Sequence, residues 1–169
     1  MKVLLISANT LAAPYPVYPL GLDYVAGAVG PGHDVEIVDV HLLPDPSALA
    51  EKIMAFGPDV VGLSLRNVDN TDLSAPEGFV APCKAQVKVI REATTAPLVL
   101  GGSGFTLFPH EIMAALGADY GIVGEGERFG QLVAALARGE TAPELPGLVL
   151  AGRSEERRGG KECRYWWSA

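Results

Sequence analysis

Residues 2–7, KVLLIS, form an unbroken apolar run rich in Val, Leu and Ile at the start of the chain. A run with no polar alternation is what a strand needs when both its faces are covered, as in a parallel sheet. The same kind of run recurs at 34–40 (DVEIVDV), 59–65 (DVVGLSL), 97–100 (PLVL) and 120–123 (YGIV), with a short sixth at 148–150 (LVL). Helical stretches fall between them. Residues 18–29 carry Leu20, Val25, Ala28 and Val29 and stop at Gly30; residues 47–56 carry Leu49, Ile53 and Phe56 and stop at Gly57. The spacing also predicts helices over 81–93, where Pro82 limits the start, and over 111–116 and 128–137. Strict βα alternation predicts an α/β fold: a doubly wound, five-stranded parallel sheet, flavodoxin-like in its order 2-1-3-4-5 and Rossmann-like in its layers. In that order ligands bind above the carboxyl ends of the strands, where strands one and three part.

Composition narrows the ligand. The chain has 169 residues, with 13 Lys and Arg against 20 Asp and Glu. Setting aside the segment from Gly152 onward leaves eight basic against 17 acidic residues. An acidic body argues against nucleic acid or an anionic membrane as partner, since either requires a basic face. The apolar run at the N-terminus is too short for a signal-peptide core or a membrane span. Two cysteines, Cys83 and Cys163, are too few for a disulfide framework or a cysteine metal site, and a cytoplasmic location is expected. From Gly152 the sequence changes to GRSEERRGGKECRYWWSA, with clustered charge and no hydrophobic period. Residues 1–151 are therefore read as the domain. Residues 152–169 are read as a vector-derived run, by their resemblance to a translated cloning vector (SEERR, GKEC), or as a disordered tail.

The loops after the strands carry the chemistry. The first, within residues 7–19, holds three prolines and neither GxGxxG nor GxxxxGKS, so no dinucleotide or triphosphate cradle is present. Asn9-Thr10 is a faint echo of a flavodoxin phosphate loop without its glycine. Carboxylates that would hold magnesium in a receiver domain are replaced by Ala8-Asn9 and Leu65-Arg66. Strand three runs into a polar cluster, Ser64, Arg66, Asn67, Asp69 and Asn70, at the switch crevice; it can bind carboxylate, phosphate or amide groups, or simply be solvated. Strand four ends in GGSGFTLFP and strand five in VGEGE, so glycines clear space at two neighbouring tips. Each glycine cluster alone could be an ordinary tight turn. His33 and His110 read as surface residues. Asp39-Val40-His41 looks at first like a cobalt-ligand motif, but it follows strand two and the position three past His41 is Pro44 instead of Gly.

The ordered set VLLIS, PLGLDYVAGAV, GHDVEIVDV, PDVVGLSLRN, PLVLGGSGFTLFP and ADYGIVGEGE resembles the N-terminal cobalamin-binding domain of the cobalamin-dependent radical SAM proteins, across nearly all of residues 1–151. The resemblance implies a corrinoid lying over the carboxyl edge with its nucleotide tail running toward strand four. By position it implies that Gly101, Gly102 and Thr106 accommodate the tail and that Gly124, Glu125 and Gly126 border it. Ser64, Leu65, Arg66 and Asn67 would line the corrin, and Asn9, Thr10, Leu20 and Gly21 would close the other side. The Asp-x-His-x-x-Gly loop of the mutase type is lacking, so a base-off cobalamin without a histidine on cobalt is expected, with Leu65 or Arg66 on its lower face. LPGLVL, residues 145–150, resembles the segment that introduces the radical SAM barrel.

No C-x-x-x-C-x-x-C run is present to hold a 4Fe-4S cluster beside S-adenosylmethionine. The chain therefore reads as a cofactor module without catalytic residues, separated from a barrel in cis. Its parent would be a methyltransferase or radical-rearrangement enzyme. Two other readings stay open: a flavodoxin-like sensory or scaffold domain without corrinoid, and a small α/β hydrolase or transferase, for which no Ser-His-Asp set or carboxylate pair can be placed.

Overall fold

The computed structural model describes residues 1–11, 15–69 and 78–152. Strands β1 (Lys2–Ser7), β2 (Asp34–Asp39), β3 (Val60–Ser64), β4 (Leu98–Gly101), β5 (Tyr120–Ile122) and β6 (Leu148–Leu150) form one sheet in the order 2-1-3-4-5-6. Its first five strands are parallel, and β6 pairs antiparallel with β5. The expected five-stranded sheet is thus extended by a sixth strand of opposite direction. Residues 138–147 carry the chain back to the carboxyl edge, where Gly147 O accepts from Val123 N at 2.8 Å, so β6 starts beside the end of β5 and runs down it.

Among the described residues six α-helices cover the sheet: α1 (Leu20–Val29), α2 (Ser47–Phe56), α3 (Val80–Ala93), α4 (Ser103–Leu107), α5 (Pro109–Leu116) and α6 (Arg128–Ala137). The unbroken apolar strands serve both faces alternately. Val3 and Leu5 join Leu22 of α1 and Phe129 and Leu132 of α6, whereas Leu4 and Ile6 join Ile53 of α2, Ile90 of α3 and Phe105 of α4. Full burial of each such side chain stabilises the fold by about 1.5–3 kcal/mol. Gly57 and Gly117 stop α2 and α5 in the left-handed conformation, each N–H returning to the carbonyl four residues earlier. α4 is a helix where a glycine-rich loop was expected. Asn70 and all of the tail beyond Gly152 lie outside the described residues.

Candidate functional site

Parallel register aligns Asp39, Ser7, Ser64 and Gly101 in one row along the carboxyl edge. Above the middle of that row lies a cleft of about 440 Å³, whose lining includes Ser7, Asn9, Tyr18, Leu20, Ser64 and Arg66. Gly21, Gly102 and Ser103 also border it. At Leu22 and Gly102 the cleft meets a narrow apolar crevice of about 50 Å³ that descends between the sheet and helices α1 and α6. Gly62, Gly101, Gly124, Gly126, Val25 and Phe129 line this crevice.

The tips of β3, β4 and β5 are stapled together through α4. Leu65 N donates to Gly101 O at 2.8 Å, and Leu65 O accepts from Gly104 N at 3.0 Å. Thr106 Oγ1 donates to Gly102 O at 3.1 Å and accepts from Gly124 N at 3.2 Å. Ser103 Oγ donates to Arg66 O at 2.7 Å. Two glycines here are structural. A Cβ on Gly102, whose φ is +99°, would lie 2.5 Å from Leu65 O, and one on Gly104 would lie 2.9 Å from the Asn67 carbonyl carbon. Gly101 differs, because a Cβ there would meet nothing nearer than Ile122 O at 4.0 Å.

Of the fourteen residues that the resemblance assigns to the cofactor, nine line the cleft or the crevice, and Thr10, Leu65, Asn67, Thr106 and Glu125 do not. Leu65 is 2% exposed, with its side chain in the core, so only its backbone reaches the tips. Thr10 turns to the opposite face, toward α2 and α3, whereas its neighbour Asn9 borders the cleft. The Thr106 hydroxyl is already committed to the staple between β4 and β5. Asn67 packs its backbone against Gly104, and Glu125 is exposed, 3.8 Å from Arg128 Nη2. The Arg66 side chain is exposed at the cleft and forms no hydrogen bond or ion pair with any described residue. Tyr18, also on the cleft, donates to Asp23 Oδ2 at 2.7 Å, and that hydrogen bond raises its pKa. His41 sits in the turn Val40–Leu42 after the edge strand β2 and does not line the cleft. Sequence reasoning missed Ser7, Gly62, Leu22, Val25, Ser103 and Phe129. Only Gly62, a glycine inside an apolar strand, carries a sequence signal for close approach.

A family model described as the B12 binding domain matches residues 6–133. The chain belongs to the B12 binding domain family. The likeness to the cobalamin-binding domain of cobalamin-dependent radical SAM proteins extends to individual relatives. This B12 binding domain is 32% identical over 154 residues to tryptophan 2-C-methyltransferase of Streptomyces laurentii, covering 88% of this chain and 25% of that enzyme. It is 33% identical over 158 residues to an uncharacterized methyltransferase of Pyrococcus horikoshii, covering 88% and 32%. Among solved structures it matches TsrM from Kitasatospora setae, a radical S-adenosylmethionine methyltransferase with cobalamin and a [4Fe-4S] cluster bound. There the TM-score is 0.81 at 31% identity, over 88% of this chain and 28% of that one. OxsB, a cobalamin-dependent S-adenosylmethionine radical enzyme, shares the fold with a TM-score of 0.65 at 16% identity, over 87% and 20%. The chain thus spans about a quarter to a third of the length of the curated relatives it matches.

The residues of the B12 binding domain fit the cofactor of its family. Serine hydroxyls, the Asn9 amide and Arg66 give the cleft both donors and acceptors, suited to the amide side chains that fringe a corrin. The crevice below is apolar and glycine-lined, suited to a flat heterocycle, but at about 50 Å³ it is too narrow to admit one without movement of its walls. No helix among the described residues is long and apolar enough to cross a membrane.

Proposed function

We propose that the chain is the cobalamin-binding module of a longer radical SAM enzyme, a methyltransferase or radical-rearrangement enzyme, and that it holds the cofactor base-off with no histidine on cobalt. The observation that carries this reading is the continuity, at Leu22 and Gly102, of a cleft edged by polar side chains with an apolar crevice, one to seat a ring with polar fringes and the other to take its tail. Cobalamin, when bound, supplies a cobalt centre able to pass a methyl group or an electron.

In this reading Ser7 and Ser64 orient the ring through its amides, Ser103 can only accept from one because its proton goes to Arg66 O, and Asn9, Leu20 and Gly21 close the α1 side. Gly101, Gly124 and Gly126 leave width for the tail, while Gly102 and Thr106 fix the tips that frame it. Arg66, which lines the cleft, would lie on the lower side of the ring. Its guanidinium has no lone pair to offer a metal, so it would occupy that side without coordinating. The 4Fe-4S cluster and S-adenosylmethionine belong to a barrel that would follow LPGLVL, residues 145–150.

The test is to incubate the full chain with hydroxocobalamin, remove free ligand and record the visible spectrum, then reduce the complex and record the cobalt(II) electron paramagnetic resonance. Retained corrinoid without nitrogen superhyperfine splitting is expected, unchanged by His41→Ala. Failure to retain corrinoid overturns the binding reading, and capture of flavin instead favours a flavodoxin-like scaffold. Nitrogen splitting that vanishes in His41→Ala would overturn the ligand-free lower face alone.

A further inference from the structure

Strand β1 ends at Ser7, whose ladder partners are Asp39 on β2 and Ser64 on β3. The next residue, Ala8, is buried just past the last of these pairs, so its backbone groups must find partners where the ladder runs out. Ala8 N donates to Ser64 O at 3.1 Å. Ala8 O accepts from a side chain instead, Gln86 Nε2 of α3 at 3.2 Å, on the sheet face opposite the crevice.

Gln86 is an unfavourable residue for its position unless that bond has a use. It is 7% exposed on a helix whose neighbouring buried residues are Cys83, Val87 and Ile90, and Leu or Met would pack there without burying an amide. Its Oε1 is sealed and accepts no hydrogen bond, so the whole amide is desolvated for the sake of the one bond from Nε2. The flipped amide would set oxygen against oxygen, so only one orientation holds the Ala8 carbonyl.

That carbonyl belongs to the peptide group joining Ala8 to Asn9. Its direction governs how the chain leaves β1, with Asn9 on the corrinoid cleft and Thr10 on the α2–α3 side. Asn9 Oδ1 accepts from Leu11 N at 3.3 Å, which leaves the N–H bonds of Nδ2, unpartnered among the described residues, as what Asn9 offers a ligand.

We propose that Gln86 is a positioning residue for the corrinoid cleft: by holding the Ala8 carbonyl from the far face of the sheet, it presents Asn9 Nδ2–H to a carbonyl oxygen on an amide arm of the bound ring. The ring contact rests on the cobalamin reading; the link between Gln86 and Asn9 does not.

The test joins nuclear magnetic resonance to a double-mutant cycle on the full chain. Without ligand, couplings about Asn9 χ1 should report one rotamer in the unaltered chain and averaging in Gln86→Met, which fills a similar volume without a donor. With hydroxocobalamin, Asn9→Ala and Gln86→Met should each bind about tenfold more weakly, the loss of one hydrogen bond, and Gln86→Met should add nothing in the Asn9→Ala background. Equal weakening by Gln86→Met in both backgrounds would mark a residue that serves only the fold and overturn the proposal, as would unchanged affinity. Should Gln86→Met fail to fold, the unaltered chain decides. Its Gln86 Nε2 should show a coupling across the hydrogen bond to the Ala8 carbonyl carbon, and its Asn9 side-chain amide should shift on binding; absence of either overturns the proposal. A chain that binds no corrinoid defeats the cobalamin reading and the ring contact with it, whereas the rotamer measurement, made without ligand, separately decides whether Gln86 positions Asn9.

Discussion

At the scale of single residues, the two glycines that end β4 do different work. Gly102 needs its glycine for the fold, since φ is +99° and a Cβ would strike the Leu65 carbonyl. Gly102→Ala should cost about 3 kcal/mol in urea denaturation, combining left-handed strain with a backbone collision that no rotamer relieves. Gly101 has open space around its Cβ position and borders the crevice. Gly101→Val should fold within about 1 kcal/mol of the parent, since a strand favours valine. Its methyls would intrude on the crevice, and retention of cobalamin after desalting should fall by about tenfold or more. Cys83 makes a contrasting case. Burial pushes its thiol up to about 11, so the thiolate is suppressed at neutral pH. In a Cys163→Ser background, a disulfide reagent at pH 8 should label the folded chain slowly and the denatured chain at once. The raised pKa means that the unfolded chain releases this proton first as pH rises. Its stabilising contribution is therefore complete below about pH 9 and is lost between about 9 and 11, in the direction that linkage requires.

At the scale of elements, Asp119 ties three of them. Its Oδ2 accepts from Leu98 N at the start of β4 at 2.7 Å and from Arg91 Nη2 of α3 at 2.9 Å, just before β5 begins. Asp119→Ala should destabilise the domain by about 1–2 kcal/mol, a charged acceptor discounted for its partial exposure, as read from the thermal midpoint. The strands are legible in the sequence because each is built on Val, Leu and Ile and most are flanked by Gly or Pro, and five of the helices because a glycine or an apolar face marks them. α4 is not legible. GGSGFTLFP carries turn residues at both ends, and five helical residues are too few to show a period. What makes α4 a helix is tertiary: Leu65 O accepts from the N–H groups of Gly104 and Phe105, and Phe105 is buried in the core. The same override explains the site. Residues at strand tips are legible because parallel topology sends every tip to one edge. The destination of Leu65 into the core, or of Thr10 to the α2 side, depends on which face the backbone turns after its last strand residue. Val25 and Phe129 read in sequence as ordinary core positions of helices, which they also are.

At the scale of the whole molecule, the two layers of helices are not equivalent. α1 and α6 approach so closely that a Cβ on Gly130 would collide with the Ala28 carbonyl, and a Cβ on Gly126 would lie 2.6 Å from Val25 Cγ2. The crevice lies between this pair and the sheet, with Val25 and Phe129 as its walls. In the proposed reading a ring would seat in the open cleft above without disturbing that packing, whereas a nucleotide tail would enter the crevice only if its walls, Val25 of α1 among them, yield. Seating and tail insertion should therefore separate in time. Cobinamide, which has the ring but no nucleotide, should bind in one fast phase. Cobalamin should show the same fast phase followed by a slower one whose rate does not depend on its concentration. Val25→Ala removes the side chain nearest Gly126 and should speed the slow phase while leaving the cobinamide rate unchanged. Stopped-flow absorbance resolves the two steps. Identical single-phase kinetics for both corrinoids would mean that the tail stays outside, and that the glycines of the crevice serve only the close approach of α1 and α6 to the sheet.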